Sequence, residues 1–388
     1  MTTQETTRRD VRQEVTNSII EHLERGVMPW RKGWGAAKDT ALLLPRNGAT
    51  GHVYRGGNRL YLLTVMREAG YDDPRFFTFK QLQALGAGPE KGSKGYAVEY
   101  WDRLPFWRRR DVEVLHGDMR VRVVGADDKT ATLATGEQVA VEELSARGPG
   151  IKNPLPWHSA QRVLDAVIAK YAVVFNVAQA RGLEEYLEAN PLENNVAQAR
   201  GLEEYLEANP LEKPAASALQ LDKQLAALVG HMKSTGLTVQ FVPGDSACYL
   251  PRDDRVVMPA MEQFKSSLEF RSTLLHELIH ATGHEKRLNR EGIAQFDGFG
   301  TERYAREELI AELGSAFAAA ETGIERDDAN HAAYIDSWLK VLRGKDGKHA
   351  LFEAARQADK ACDYVLEPLR ERQQQRQPEP VREAEVEL

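Results

Sequence analysis

The stretch Ser266 to His284, SSLEFRSTLLHELIHATGH, constrains this chain more than any other. Ser266 and Glu269 stand at capping-box spacing, and Phe270, Leu274, Leu275, Leu278 and Ile279 follow at helical intervals. The pattern predicts a helix that starts near Leu268 and is closed by Gly283. On such a helix His276 and His280 lie one above the other, and both imidazoles can reach one ion at about 2.0–2.1 Å. Glu277 follows the first histidine, where a carboxylate can poise a water for attack on a carbonyl. The alternative is a helix that carries two ordinary histidines.

A third ligand is expected from TERYAREELIAELGSAFAAAET, Thr301 to Thr322, a second helical pattern. There Glu308 and Glu312 share a stripe with Ala305, Ser315 and Ala316, while Arg303 and Glu307 are read as pointing elsewhere. Glu308 is the candidate ligand, and Glu312 the candidate for orienting a histidine through its other ring nitrogen. An i,i+4 acidic pair on a solvated face is the competing reading. A motif of the form HExxHxxGxxH would bring a third histidine, but Lys286 occupies that position. His284 lies about 12 Å along a continuous helix from His276, too far to share an ion unless the chain breaks at Gly283. A His276, His280, Glu308 set with a fourth position left for water is therefore expected, holding zinc or another divalent metal.

The 388 residues allow two to three domains, and 42% hydrophobic with 28% charged is an ordinary composition for a soluble chain. A formal charge of −7 argues against a generally basic nucleic-acid binder, so such binding has to come from a local patch. Cys248 and Cys362 stand far apart, which fits a reducing cytoplasm and excludes a cysteine-based zinc cluster. The N-terminus lacks the apolar centre of a signal peptide, and no run is apolar enough to cross a membrane, so a cytoplasmic protein with no membrane partner is expected.

Residues 1–9 read as a flexible tail. Val11, Val15, Ile19, Ile20 and Leu23 keep helical spacing up to Gly26, and MPWRKGWG follows. In it Trp30 and Trp34 bracket Arg31 and Lys32, a pattern that either stacks bases or packs an aromatic cluster on a core. TGHVYRGGNRLYLLTVMREAG turns on Gly56 and Gly57 into an amphipathic helix. The next stretch reads as a short helix, a glycine-rich loop with Lys91 and Lys94, and a strand. From Lys91 to Arg110 six basic residues face two acidic ones, interleaved with Tyr96, Tyr100, Trp101, Phe106 and Trp107. A basic, aromatic strand with a basic loop suits single-stranded nucleic acid, with a plain solvated edge strand as the alternative.

The alternating segments between about Asp111 and Leu144 predict a β-ribbon, read as an insertion. NVAQARGLEEYLEANPLE then occurs twice, Asn176 to Glu193 and Asn195 to Glu212, without a change. Two copies are too few for a solenoid, and 176–212 is expected to be a linker with a tolerated duplication. A helix from Ala215, three strands and the HExxH helix follow, with Arg255 to Met258 the candidate edge for an extended peptide. Two closing helices come after the Glu308 helix, and 371–388 reads as a disordered tail.

The runs VTNSIIEHLERGVMPWRKGW, TGHVYRGGNRLYLL and KGSKGYAVEYW together resemble the N-terminal domain of ArdC-type antirestriction proteins, which also stands at the front of TraC-type plasmid primases. YLPRDDRVVMPAMEQFKSSLEFRSTLLHELIHATGHEKRLNR with YAREELIAELGSAF resembles the zincin-like metallopeptidase domain joined to it in that family. The resemblance implies an α+β chain: an N-terminal α+β domain over 10–175 that binds single-stranded DNA, then a metallopeptidase domain of gluzincin type over 213–370. It implies protection of a mobile element's DNA against restriction, with Glu277 as catalytic carboxylate and a protein as substrate. The alternative is a DNA-binding protein that acts by occupancy and carries a purely structural metal. Arg55, Asn58, Lys91, Lys94, Tyr100, Trp101 and Arg103 are the DNA-binding candidates. The ribbon and the duplicated segment depart from the family pattern.

Overall fold

The computed structural model describes residues 10–30, 44–192, 223–295, 298, 300–322 and 334–376. Its mixture of helices and short strands is the α+β class expected from the sequence. By contacts the chain divides into two compact units, Met1–Tyr96 with Val174–Leu388, and Ala97–Val173. Among the described residues no helix is long and apolar enough to cross a membrane, and both cysteines are free thiols.

In the first unit the helix bearing the motif, Ser267–Ala281, lies against the helix bearing the carboxylates, Glu302–Thr322, and both touch the long helix Gly347–Arg376. Gly314 sits at the crossing of the first two, where a Cβ would come within 2.9 Å of Ile279, so a side chain there would push the helices apart. The N-terminal helices Val11–Glu24 and Gly56–Ala69 pack on the long helix. Arg59, 2% exposed, reaches Asp359 at 2.7 Å and stacks over the Phe317 ring at 4.9 Å, so this charge is buried with an anionic partner rather than alone. The long helix continues past Arg370 to Arg376, inside the expected tail, because RERQQQR is made of strong helix formers.

A three-stranded sheet lies beside the motif helix. Arg255–Met258 is its central strand, parallel to Thr238–Phe241 and antiparallel to Cys248–Leu250. The expectation of an open edge at Arg255 to Met258 is therefore corrected: both of its backbone edges are already paired, and Thr238–Phe241 and Cys248–Leu250 are the edge strands.

The first copy of the repeat is built into the first unit. Asn176 is buried and donates to Asp73 O at 2.8 Å, Ala180–Arg181 pairs with Gly88–Pro89, and Leu183 is buried. Tyr186 donates to Gly48 O at 2.7 Å and meets the Phe77 ring edge-on. The second copy lies outside the described residues.

The second unit has its own core. Glu113–His116 and Met119–Val121 form a hairpin through Gly117, whose φ of 58° suits the tight turn. Leu144–Arg147 and Leu155–Pro156 extend that sheet, and Val123–Ala126, Thr130–Leu133 and Gln138–Ala140 form another. The helix Trp157–Leu164 closes the core, with Trp157 edge-on to Phe106 at 4.7 Å. The alternating segments read as a ribbon thus share one core with chain on both sides of them. Tyr96–Leu104 and Ala166–Asn176 are neighbouring strands of a separate sheet.

Candidate metal centre

The motif helix is capped as its sequence requires. Ser266 Oγ accepts from Glu269 N at 3.1 Å, and Glu269 Oε2 accepts from Lys265 N at 2.8 Å. At its other end Arg287 donates to Ala281 O at 2.7 Å and Arg290 to Ile279 O at 2.8 Å, placing two guanidinium groups where the helix dipole favours cations. Gly283 makes room for the second of them: a Cβ there would lie 2.6 Å from Ile293 and 2.9 Å from Arg290. Phe270, Leu274, Leu275, Leu278 and Ile279 are all buried, so the helix is fixed on its apolar side while both histidines face the carboxylate helix.

Between these helices three donor atoms converge. His276 Nε2 and His280 Nε2 are 3.1 Å apart, Glu308 Oε2 is 3.4 Å from the first, and Glu308 Oε1 is 3.5 Å from the second. One ligand atom from each of the three residues lies within 4.8 Å of the other two, close enough for all three to bind one ion at about 2.1 Å. The trio also fits chemically, being two imidazole nitrogens and a carboxylate oxygen, all buried. Burial opposes charge on His280, but Glu308 and then Glu307 outweigh it and push its pKa up to about 10. Burial works against the Glu308 carboxylate too, and the two histidines more than offset it, holding the group far below the usual range.

Behind His280 stands Glu307, whose Oε1 lies 3.2 Å from Nδ1. Arg290 fixes this carboxylate through Nε at 3.0 Å, and both side chains are almost fully buried. The reading that pointed Glu307 away is corrected: the helix turns it toward His280, and it is the carboxylate that orients that ring. Glu312, fully buried, accepts a hydrogen bond from Trp30 Nε1 at 3.2 Å. His284 is turned to Asp254, 3.8 Å away, and lies outside the trio.

Glu277 is buried, and that burial, reinforced by Glu308 and partly offset by the two histidines, raises its pKa. A raised carboxylate pKa suits a group that must hold and release a proton. The backbone N–H of Tyr249 on the edge strand Cys248–Leu250 reaches it, and its neighbour Cys248 is raised by burial and by Glu277. Two tyrosines stand near the trio that the sequence reading missed. Tyr304 hydrogen-bonds Glu308, and its hydroxyl is 3.5 Å from that of Tyr334; burial and then Glu308 push both phenols up. Tyr304 precedes Glu308 by four residues, and that helical spacing was the available signal.

The DNA-binding candidates fall in different surroundings. Arg55 is ion-paired with Asp363, and the next residue, Gly56, donates its N–H to Asp359. That turn anchors a helix on its neighbour. Asn58 is half-buried on the same helix. Lys91 and Lys94 are exposed on the glycine-rich loop, which Gln179 of the first repeat copy holds by donating to Lys94 O at 3.0 Å and accepting from Glu90 N at 2.7 Å.

In the second unit Tyr100 and Trp101 are 45% and 62% exposed, and Arg103 pairs with Asp165. The sequence reading missed the neighbouring strand, where Val167, Tyr171 and Val173 are exposed. Lys170 pairs with Asp102, so strand alternation sets Trp101, Arg103, Val167, Tyr171 and Val173 on the opposite face from that pair. The signal was the odd-numbered spacing of Val167, Tyr171 and Val173.

Comparison with known proteins agrees with this geometry. Residues 9–139 match the N-terminal domain of anti-restriction factor ArdC, and residues 227–357 match the zincin-like metallopeptidase. The crystal structure of metal-free antirestriction ArdC from plasmid R388 is 27% identical, covers 94% of this chain and 99% of that one, and superposes with a TM-score of 0.60. The chain carries an ArdC-type N-terminal domain followed by a zincin-like metallopeptidase domain. The Mn(II)-bound structure of R388 ArdC is 28% identical with a TM-score of 0.59, covering 93% of this chain and 98% of that one. Two DNA primases named TraC from Escherichia coli are 33% and 30% identical over 91% of this chain. This chain spans only 19% and 27% of their lengths. Uncharacterized protein y4eC of Sinorhizobium fredii is 28% identical over 94% of this chain and 95% of its own length.

Proposed function

We propose that this protein counters restriction by binding single-stranded DNA and by cleaving a protein at the His276, His280, Glu308 centre. The observation that carries the reading is the convergence of those three buried side chains, one donor atom from each within 4.8 Å of the others, with buried Glu277 beside them and an edge strand within its reach. A divalent ion held there supplies Lewis acidity toward a carbonyl oxygen and toward water. Zinc suits the donor set, and the Mn(II)-bound R388 relative supports a wider choice of divalent ion. Glu277 takes the proton from the attacking water and returns it to the leaving amine, steered by the Tyr249 N–H. Cys248–Leu250 pairs on one edge only and offers the other to an extended peptide. DNA is held in the second unit by the exposed Trp101, Arg103 and Tyr171 on one strand face and Tyr100 on the other, through base stacking and charge, and in the first unit by Lys91 and Lys94 through phosphate neutralisation.

The test is protection of unmodified plasmid DNA entering a restricting host, comparing wild type with Glu277→Gln at equal metal content. Loss of protection is expected. Full protection by the variant would assign the effect to DNA occupancy and reject the peptidase step as its cause.

A further inference from the structure

Trp30 lies in the part of the chain matched to the ArdC N-terminal domain, far in sequence from the motif helix, yet it is 1% exposed and its contacts lead to the metal centre. Its indole N–H donates to Glu312 Oε1 at 3.2 Å, one helical turn beyond the ligand Glu308. Its ring meets Trp338 at 6.1 Å, and Trp338 stacks on Tyr334 at 6.1 Å with 22° between planes. Tyr334 meets Tyr304, and Tyr304 hydrogen-bonds Glu308. Two routes from one side chain therefore end on the same ligand, one along the carboxylate helix and one through a row of rings.

We infer that Trp30 is a positioning residue of the metal centre, so that the N-terminal portion of the chain helps set the affinity of the site for its ion. The inference rests on reading His276, His280 and Glu308 as ligands. A buried carboxylate such as Glu312 needs donors, and an indole N–H supplies one with a rigid direction. Losing that donor lets Glu312, and with it the adjoining turn that presents Glu308, settle differently. Trp30 itself is too buried to stack a base, which decides between the two readings of the MPWRKGWG segment for this residue.

The experiment is a titration of the full-length chain with Mn(II), following the free ion by electron paramagnetic resonance, together with melting curves. Trp30→Phe keeps a ring and removes the N–H, and it is expected to weaken Mn(II) binding at least about tenfold, as loss of outer partners of metal ligands does. Ile19→Val, a buried change in the N-terminal helix outside both routes, is expected to lower the melting temperature and leave Mn(II) affinity unchanged. In a double-mutant cycle Trp30→Phe and Glu312→Gln are expected to be non-additive. If Trp30→Phe fails to fold, Glu312→Gln alone is expected to show the weakening. Unchanged affinity in Trp30→Phe, or an equal loss in Ile19→Val, would overturn the inference. A wild-type chain that takes up no Mn(II) would instead overturn the reading of the ligands.

Discussion

The metal centre and the exposed strand face of the second unit put similar residue types to opposite uses. At the centre His276, Glu277, His280, Glu307 and Glu308 are buried, and the partners of the ligands are themselves held, Glu307 by Arg290 and Glu308 by Tyr304. On the strands Trp101 and Tyr171 stand in solvent, and the ion pairs Arg103–Asp165 and Lys170–Asp102 lie at the surface. An ion needs donors fixed to within tenths of an ångström and stripped of water, which burial supplies. A flexible polymer needs open area, where stacking tolerates many geometries. Substitutions in the first region should therefore cost stability and binding together, whereas those in the second should cost binding alone.

The sharpest contrast comes from Arg290→Ala, which removes the guanidinium of a buried ion pair and leaves Glu307 with the His280 ring as its charge partner. A loss of about 3–5 kcal/mol is expected in urea unfolding; a loss below about 1 kcal/mol would break the comparison. Next is Glu307→Gln, which keeps the shape and removes the charge that orients His280. Metal affinity should fall about 10–100-fold in a metal titration, and stability by about 1–3 kcal/mol.

A smaller effect is set by pH. Asp254 opposes its own burial through hydrogen bonds from Arg287 and Tyr249, and its pKa is lowered below the ordinary value of 3.8. With the folded value depressed, its stabilisation is complete above about pH 4 and is lost as pH falls through the folded value. Asp254 has a φ of 45°, which asparagine tolerates, so Asp254→Asn isolates the charge. Melting temperatures from pH 5 to 3 should fall less steeply for the variant than for wild type. Smallest in stability is Trp101→Ala, expected within about 0.5 kcal/mol of wild type, while affinity for a single-stranded oligonucleotide drops about tenfold. A large stability loss there would show that the face is structural.

Much of the site was legible because helical periodicity fixes which side chains share a face. It set His276 above His280 and placed Glu308 on the facing helix. It did not turn Glu307 toward His280, because Glu307 lies at the margin of the Glu308 stripe and the crossing of the two helices decides which side chains at that margin face inward. The strand pairing that makes Cys248–Leu250 an edge depends on non-local register, to which a pattern of alternation is blind. The docking of the first repeat copy was likewise hidden. The first copy is docked by Asn176, Leu183 and Tyr186 against groups distant in sequence.

The most direct test of the central claim is the stoichiometry and affinity of Zn(II) or Mn(II) uptake by the full-length chain, wild type against Glu308→Ala. One ion per chain is expected for wild type, bound at least about a hundredfold more weakly once the carboxylate ligand is gone. Uptake of one ion with unchanged affinity by Glu308→Ala would contradict the assignment of these three residues as a single metal centre.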